Sequence, residues 1–247
     1  MVWLLLALVV AVGCGVSMLI TWVVDRVRVS DESSPDDDPV GIKIGAAFGM
    51  YGVIVGFAVI MSQQGYTDAQ ASLREEVGAV ISTIHVAHAL PPAVGDPVLD
   101  ATRNYLASEI AGWDAFTHQD VGSPSAASLD DLYASVQGLG SEPATLSAQQ
   151  SLFASLAQID AGRTDRILVS RDGTPMLLWV LLIGGGVLVL SMAALLNFKS
   201  LRLRLLLLLG MGALISVALY TIWALANPFT GPIPIDFEPL QHAAASI

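Results

Sequence analysis

Four apolar runs, each about as long as a bilayer is thick, limit what this chain can become. They cover residues 1–24 and 41–61 and the two halves of 175–226. At ~1.5 Å per helical residue, about 20 residues cross a ~30 Å hydrocarbon core. Inside that core the backbone must satisfy its own hydrogen bonds, so the runs are read as helices. Charged residues make up 13% of the chain, against roughly 25% in soluble domains. The expected fold class is an all-α membrane protein. It has four transmembrane helices and a helical water-exposed domain between spans two and three.

The first run is flanked by Trp3 and Trp22, about 28 Å apart along a helix, at the headgroup depths that tryptophan favours. It lacks the basic start and small-residue cleavage site of a signal peptide, so a retained span is expected. Residues 25–40 form a linker with Asp31, Glu32, Asp36, Asp37 and Asp38. Their spacing lacks the alternating acids of a calcium loop, and a solvated linker is expected. The second span, 41–61, carries Gly45, Gly49, Gly52 and Gly56 at spacings of 4, 3 and 4, which places them on one helical face. In lipid, such a face lets another helix approach closely. It serves either an assembly of copies or packing within one chain.

Residues 62–174 are amphipathic rather than uniformly apolar. Leu73, Val77, Val80, Ile84 and Ala87 mark one helix face, after a possible capping box at Thr67 and Gln70. Pro91-Pro92 ends that helix. Asp96-Pro97 is read as the start of the next, with Leu99, Leu106, Ile110 and Trp113 as its buried stripe. A short helix follows near 129–136. A longer one near 146–170 has an apolar stripe interrupted by Arg163. Spans three and four, within 175–226, are joined by the basic turn 197–204. The tail 227–247 is proline-rich and too short to form a domain alone.

Lys199, Arg202 and Arg204 crowd one short turn, and Arg26, Arg28 and Lys43 flank the first linker. With four spans these loops share a side, and the positive-inside rule makes that side cytoplasmic. A multi-pass cell-membrane protein is expected, with the helical domain and both termini outside the cytoplasm. The net charge of −11 argues against nucleic acid as a partner.

No catalytic, metal or cofactor signature stands out, and an enzyme is not expected. His85 and His88 lie three residues apart but lack companion ligands in a recognised spacing. The single cysteine, Cys14, lies in an apolar run. No span carries a midplane charge, which disfavours an ion-coupled pump but not a channel. In a channel, Phe48, Tyr51 and Phe57 are candidate pore-proximal residues beside the glycine seam.

Four stretches resemble the bestrophin-like family of bacterial integral membrane proteins. The first follows span two, where Gln64, Tyr66, Ala69 and Glu76 match the family pattern and Gly78 replaces its alanine. The second is the helix through Tyr105, Glu109 and Trp113, and the third is Arg163 and Arg166 ahead of span three. The fourth is the tail, where Pro228, Phe229 and Gly231 match but the family's acid before Pro-Phe is missing. The resemblance implies a pentameric anion channel whose second span lines the pore and whose helical domain lies in the cytosol. The cytosolic placement opposes the charge rule, and no calcium site is carried over. The lipid bilayer and further copies of the chain are the expected partners, with no cofactor. The alternatives are a membrane sensor or accessory subunit, whose helical domain binds a ligand or protein, and a structural subunit of a larger complex.

Overall fold

A computed structural model describes residues 2–27, 38–117, 125–139, 143–171, 175–195 and 201–247. Eight helices account for almost all of them, and no strand occurs among the described residues. They are α1 (Val2–Val27), α2 (Asp38–His88), α3 (Pro92–Thr117), α4 (Ser125–Gln137), α5 (Pro143–Arg171), α6 (Met176–Ala194), α7 (Leu201–Ala226) and α8 (Glu238–Ala244). Four of them, α1, α2, α6 and α7, are long and apolar enough to cross a membrane. The protein is thus an all-helical membrane protein with four candidate spans. The acidic linker acids Asp31, Glu32, Asp36 and Asp37 and turn residue Lys199 lie outside the described residues.

Proline sets many helix ends. Pro143 opens α5 at its first position, where a missing N–H costs no helical bond. Pro175 caps α6, its carbonyl accepting from the Leu178 and Trp179 amides. Pro91 stops α2, and its carbonyl accepts from the Val94 and Gly95 amides at 2.8 and 2.9 Å. That turn starts α3 at Pro92, so Pro97 lies inside the helix and Asp96 is not its cap. The capping box expected at Thr67 is likewise absent. No proline falls between Pro39 and Pro91, and α2 runs 51 residues through Thr67 without a break.

The chain divides into two compact units. The membrane unit comprises residues 1–64, 174–226 and 231–233. Here α1 packs along α7 and against α6, and α6 packs on α7. The α1–α7 approach is made by small residues. A Cβ added at Gly13 would collide with the Ser216 side chain and come within 3.0 Å of the Gly212 carbonyl. One added at Gly212 would collide with the Ser17 hydroxyl. Two Gly-x-x-x-Ser steps therefore face each other. Ser17 and Ser216 bond back to the carbonyls of Gly13 and Gly212, which leaves no hydroxyl unsatisfied in an apolar setting. At the start of α7, Arg204 donates to the Ala194 carbonyl at 2.6 Å, satisfying a group at the C-terminal end of α6.

The helical unit comprises residues 65–173, 227–230 and 234–247. The second part of α2 packs with α3, α4 and α5 around Leu73, Val80, Leu106, Leu132, Leu152 and Leu156, all buried. Gly162 lets α5 close on α2, since a Cβ there would stand 2.9 Å from the Ser72 carbonyl. The tail is absorbed into this core through Phe229, Ile235, Leu240 and Ala243. Its chain is folded back by the Ile235 amide, which donates to the Pro228 carbonyl at 2.7 Å. Trp113 of α3 meets Phe229 edge-on at 6.0 Å and Phe237 at 5.6 Å between ring centroids. A segment too short to bury a core of its own is stabilised by joining one already built.

Candidate functional site

In the membrane unit the decisive element is the first part of α2, which carries two different faces. One contains Tyr51, Ala58 and Ser62, all buried, with Ile54 and Val55 partly buried beside them. Ala58 joins Leu182 of α6 and Ile222 of α7 in a small apolar core, with Trp179 packed on it. Phe48 is half-buried against Ala193, Ala194 and Leu208. The other face holds the glycine seam. Gly45, Gly49, Gly52 and Gly56 are exposed, and a Cβ built at any of them meets nothing within 4 Å. Among the described residues no intrachain contact fills the space in front of these glycines, and Gly52 stands at the edge of a hollow shared with α7.

The three aromatics beside the seam part company. Tyr51 is only 8% exposed, its ring against Gly185 and Gly186 and its hydroxyl on the Leu182 carbonyl at 2.8 Å. Phe57 is 64% exposed on the outer surface, and Phe48 is partly covered. A hollow of about 150 Å³ between α2 and α7 is lined by Phe48, Tyr51, Gly52, Val55, Met211 and Ile215, all apolar or aromatic.

In the helical unit a buried charge cluster stands out. Arg166 of α5 is 2% exposed and Glu76 of α2 is 0% exposed. The guanidinium engages Glu76 twice, Nε to Oε2 at 3.0 Å and Nη2 to Oε1 at 3.2 Å. Its Nη2 also reaches Glu109 Oε2 of α3 at 2.7 Å. Arg163 Nε donates to Glu109 Oε1 at 3.1 Å, and the Tyr105 hydroxyl donates to Glu76 Oε1 at 2.8 Å. The Trp113 ring covers the guanidinium, with the Arg166 Cζ 5.1 Å from its centroid. Two carboxylates and two guanidiniums thus balance inside an apolar core.

Burial raises the Glu76 carboxyl above its ordinary 4.5, although Arg166 pulls against that. Burial and the two neighbouring carboxylates push the Tyr105 phenol well up, so it stays a donor. Burial disfavours the Arg166 charge, but Glu76 and Glu109 outweigh it and hold the guanidinium protonated.

These residues are scattered over 90 positions, and their spacing alone does not bring them together. The available signal was charge inside apolar stripes. Glu76 follows Leu73 by three and precedes Val80 by four, and Glu109 sits likewise between Leu106 and Trp113. Arg163 and Arg166 interrupt the α5 stripe with the matching sign. Of the remaining family-pattern residues, Tyr66 is half-buried against the helical core, Gln64 is exposed, and Pro228 and Phe229 are buried. Gly231 is partly covered.

A groove of about 490 Å³ also opens in the helical unit between α2 and α5. Its lining includes Gly65, Asp68, Ser72, Glu75, Asp165 and Val169, and no Lys or Arg. No group of three metal-ligating side chains occurs among the described residues.

A family model described as the Bestrophin-like domain matches residues 11–240. Among solved structures, the fold is similar to a bacterial bestrophin homologue from Klebsiella pneumoniae. The TM-score is 0.70 at 12% identity, over 97% of this chain and 94% of that one. A variant of that homologue gives 0.69 at 10% identity, over 98% and 95% of the two chains. A variant described only as a membrane protein gives 0.68 at 11%, again over 98% and 95%. No curated protein matches the sequence.

Proposed function

The chain belongs to the bestrophin-like family, and from that premise we propose that it forms a homo-oligomeric membrane channel with α2 nearest the axis. The observation that carries this reading is the open glycine seam. A side chain placed at any of the four glycines would meet nothing within 4 Å among the described residues, while the opposite face of α2 is occupied by α6 and α7. A helix seamed with glycine on its unpacked side is suited to close approach by another copy. The absence of midplane charge in the four spans fits passive conduction better than coupled transport. A pentamer and an anion are what the family resemblance implies. The 14 acidic and 5 basic residues of positions 62–174 weigh against an anion path along that surface. Single-channel recording after reconstitution, with asymmetric chloride and potassium salts, tests the reading. Discrete openings support it and their reversal potential names the ion, whereas sealed bilayers under all common ions overturn it.

The orientation in this reading follows the charge rule, which places the helical unit outside the cytoplasm. Arg163 and Arg166 are consumed in the buried cluster, so the basic turn at 197–204 outweighs them as a topological signal. The family resemblance implies the reverse. Labelling of a cysteine introduced at exposed Ser151 in a Cys14→Ser background, from one side of intact cells, decides between them.

A second reading, a sensor or accessory subunit, draws on the 490 Å³ groove in the helical unit. A stoichiometric partner retained on extraction from native membranes favours it; a clean homo-oligomer favours the channel.

A further inference from the structure

We propose that Tyr51 is a positioning residue that fixes the rotation of α2 about its own axis and so aims the glycine seam. The proposal builds on the channel reading but concerns contacts inside one chain. Three contacts carry it. The Tyr51 hydroxyl donates to the Leu182 carbonyl of α6 at 2.8 Å. A Cβ at Gly185 would stand 2.9 and 3.0 Å from Cε2 and Cδ2 of the ring. A Cβ at Gly186 would stand 2.9 Å from the phenol oxygen and 3.3 Å from Ile215 of α7. Only glycine at both places admits the ring, and the ring in turn fills the notch that the two glycines leave. The run Gly184-Gly185-Gly186 is therefore a socket in its second and third members, while Gly184 meets nothing within 4 Å.

The socket sets an angle. Taking Tyr51 as zero and about 100° per residue, Gly52, Gly45, Gly56 and Gly49 fall at roughly 100°, 120°, 140° and 160°. With the phenol seated on α6, Gly45, Gly49 and Gly56 are turned away from α6 and α7, and Gly52 stands at the edge of the hollow beside α7. The hydroxyl makes the choice selective. Among apolar side chains in a bilayer a phenol has no water to fall back on, so rotating α2 strands a polar group. A phenylalanine ring fills the same socket without that penalty. The ring supplies the fit, and the hydroxyl supplies the preference for one rotation.

The test is an intrachain distance, readable whether or not the protein conducts. Met50→Cys on α2 and Leu188→Cys on α6, both exposed positions, carry spin labels in a Cys14→Ser background. Labelled chains are diluted into unlabelled ones in liposomes, and pulsed electron resonance reports the distance within one chain. One distance is expected with Tyr51 in place. Tyr51→Phe broadens it. Tyr51→Ala or Gly185→Ala adds a second population displaced by roughly 3–4 Å, the chord of a one-residue step at the ~2.3 Å Cα radius. Val55→Ala, which trims the same packed face without touching the hydroxyl, leaves the distribution as it was. Identical distributions in Tyr51→Phe, Tyr51→Ala and Gly185→Ala overturn the proposal. So does a Val55→Ala shift as large as that of Tyr51→Ala. Silence in bilayer recordings would count against the channel reading and leave this result untouched.

Discussion

The two units of this protein solve the same packing problem with opposite materials. In the membrane unit, specificity comes from missing side chains. Gly13 and Gly212 let α1 and α7 touch, and Gly185 and Gly186 admit Tyr51. Ser17 and Ser216 there turn back onto carbonyls of their own helices, and Tyr51 and Arg204 reach carbonyls of α6. In the helical unit, an apolar core is pinned by full charges. Arg166 joins α5 to α2 and α3, and Tyr105 and Trp113 close the cluster. The difference follows from the solvent that each unit leaves behind. A bilayer offers little gain for burying one more leucine, so close backbone approach discriminates between arrangements. Water rewards apolar burial of almost any shape, so a matched set of charges is a stricter test of register.

The largest effect is expected where that charge balance is broken from one side. Arg166→Leu leaves Glu76 and Glu109 buried without their shared partner and should cost about 3–5 kcal/mol. The denaturation midpoint of the intact protein in detergent checks this. Glu76→Gln should cost clearly less, because a neutral amide still accepts from Tyr105 and Arg166. Equal losses in the two variants would show that shape, not charge, holds the cluster.

Next comes the one place where the helical unit borrows the method of the membrane unit. Gly162→Ala puts a methyl 2.9 Å from the Ser72 carbonyl and 3.1 Å from the Glu76 Cβ. Overpacking of this kind costs roughly 1–3 kcal/mol. In the membrane unit, Gly212→Ala should lower the thermal midpoint, because its Cβ meets Ser17. Gly210→Ala, which meets nothing, should hold or raise it through helix propensity worth up to ~1 kcal/mol. A pair of equal shifts would mean that α1 and α7 do not rely on the small-residue crossing.

The smallest effect is a pH slope, and its sign is diagnostic. The folded protein binds a proton at Glu76 more readily than the unfolded chain, whose value is near the ordinary 4.5. In the window just above 4.5 the folded state therefore carries the proton that the unfolded state has released. This group's contribution to stability is full below that window and falls as pH rises through the folded value. That trend opposes the usual loss of carboxylate stability in acid. Denaturation midpoints of Glu76→Gln measured across pH 4–7 should lack it, and an unchanged slope would assign the trend to other groups.

Much of the fold was legible because apolar runs and prolines are strong local signals. The four spans and the helical character of residues 62–174 follow from them. The helix start at Thr67 is the exception. Thr67 and Gln70 fit a capping box, but capping requires a break, and no proline or turn residue pair supplies one between Pro39 and Pro91. Likewise Asp96-Pro97 has the chemistry of a helix start, yet the Pro91 carbonyl has already begun the turn five residues earlier. Of the candidate site, the seam is visible as spacing, but spacing does not separate Tyr51 from Phe48 and Phe57, because aromatics beside glycines share a sequence neighbourhood. One residue step is about 100° of rotation, enough to send one aromatic into a socket and leave another exposed. The charge cluster was unreadable for a different reason: its members meet only in three dimensions, on α2, α3 and α5.

The proposed channel requires that copies of this chain meet at the open glycine face of α2. Native mass spectrometry of the protein released from nanodiscs tests it most directly, comparing the unaltered chain with Gly49→Leu and Gly52→Leu. A single closed oligomer is expected for the unaltered chain and dissociation to smaller species in both variants, because each leucine holds the facing helices apart. A monomeric unaltered chain, or an oligomer of unchanged mass in both variants, would contradict it.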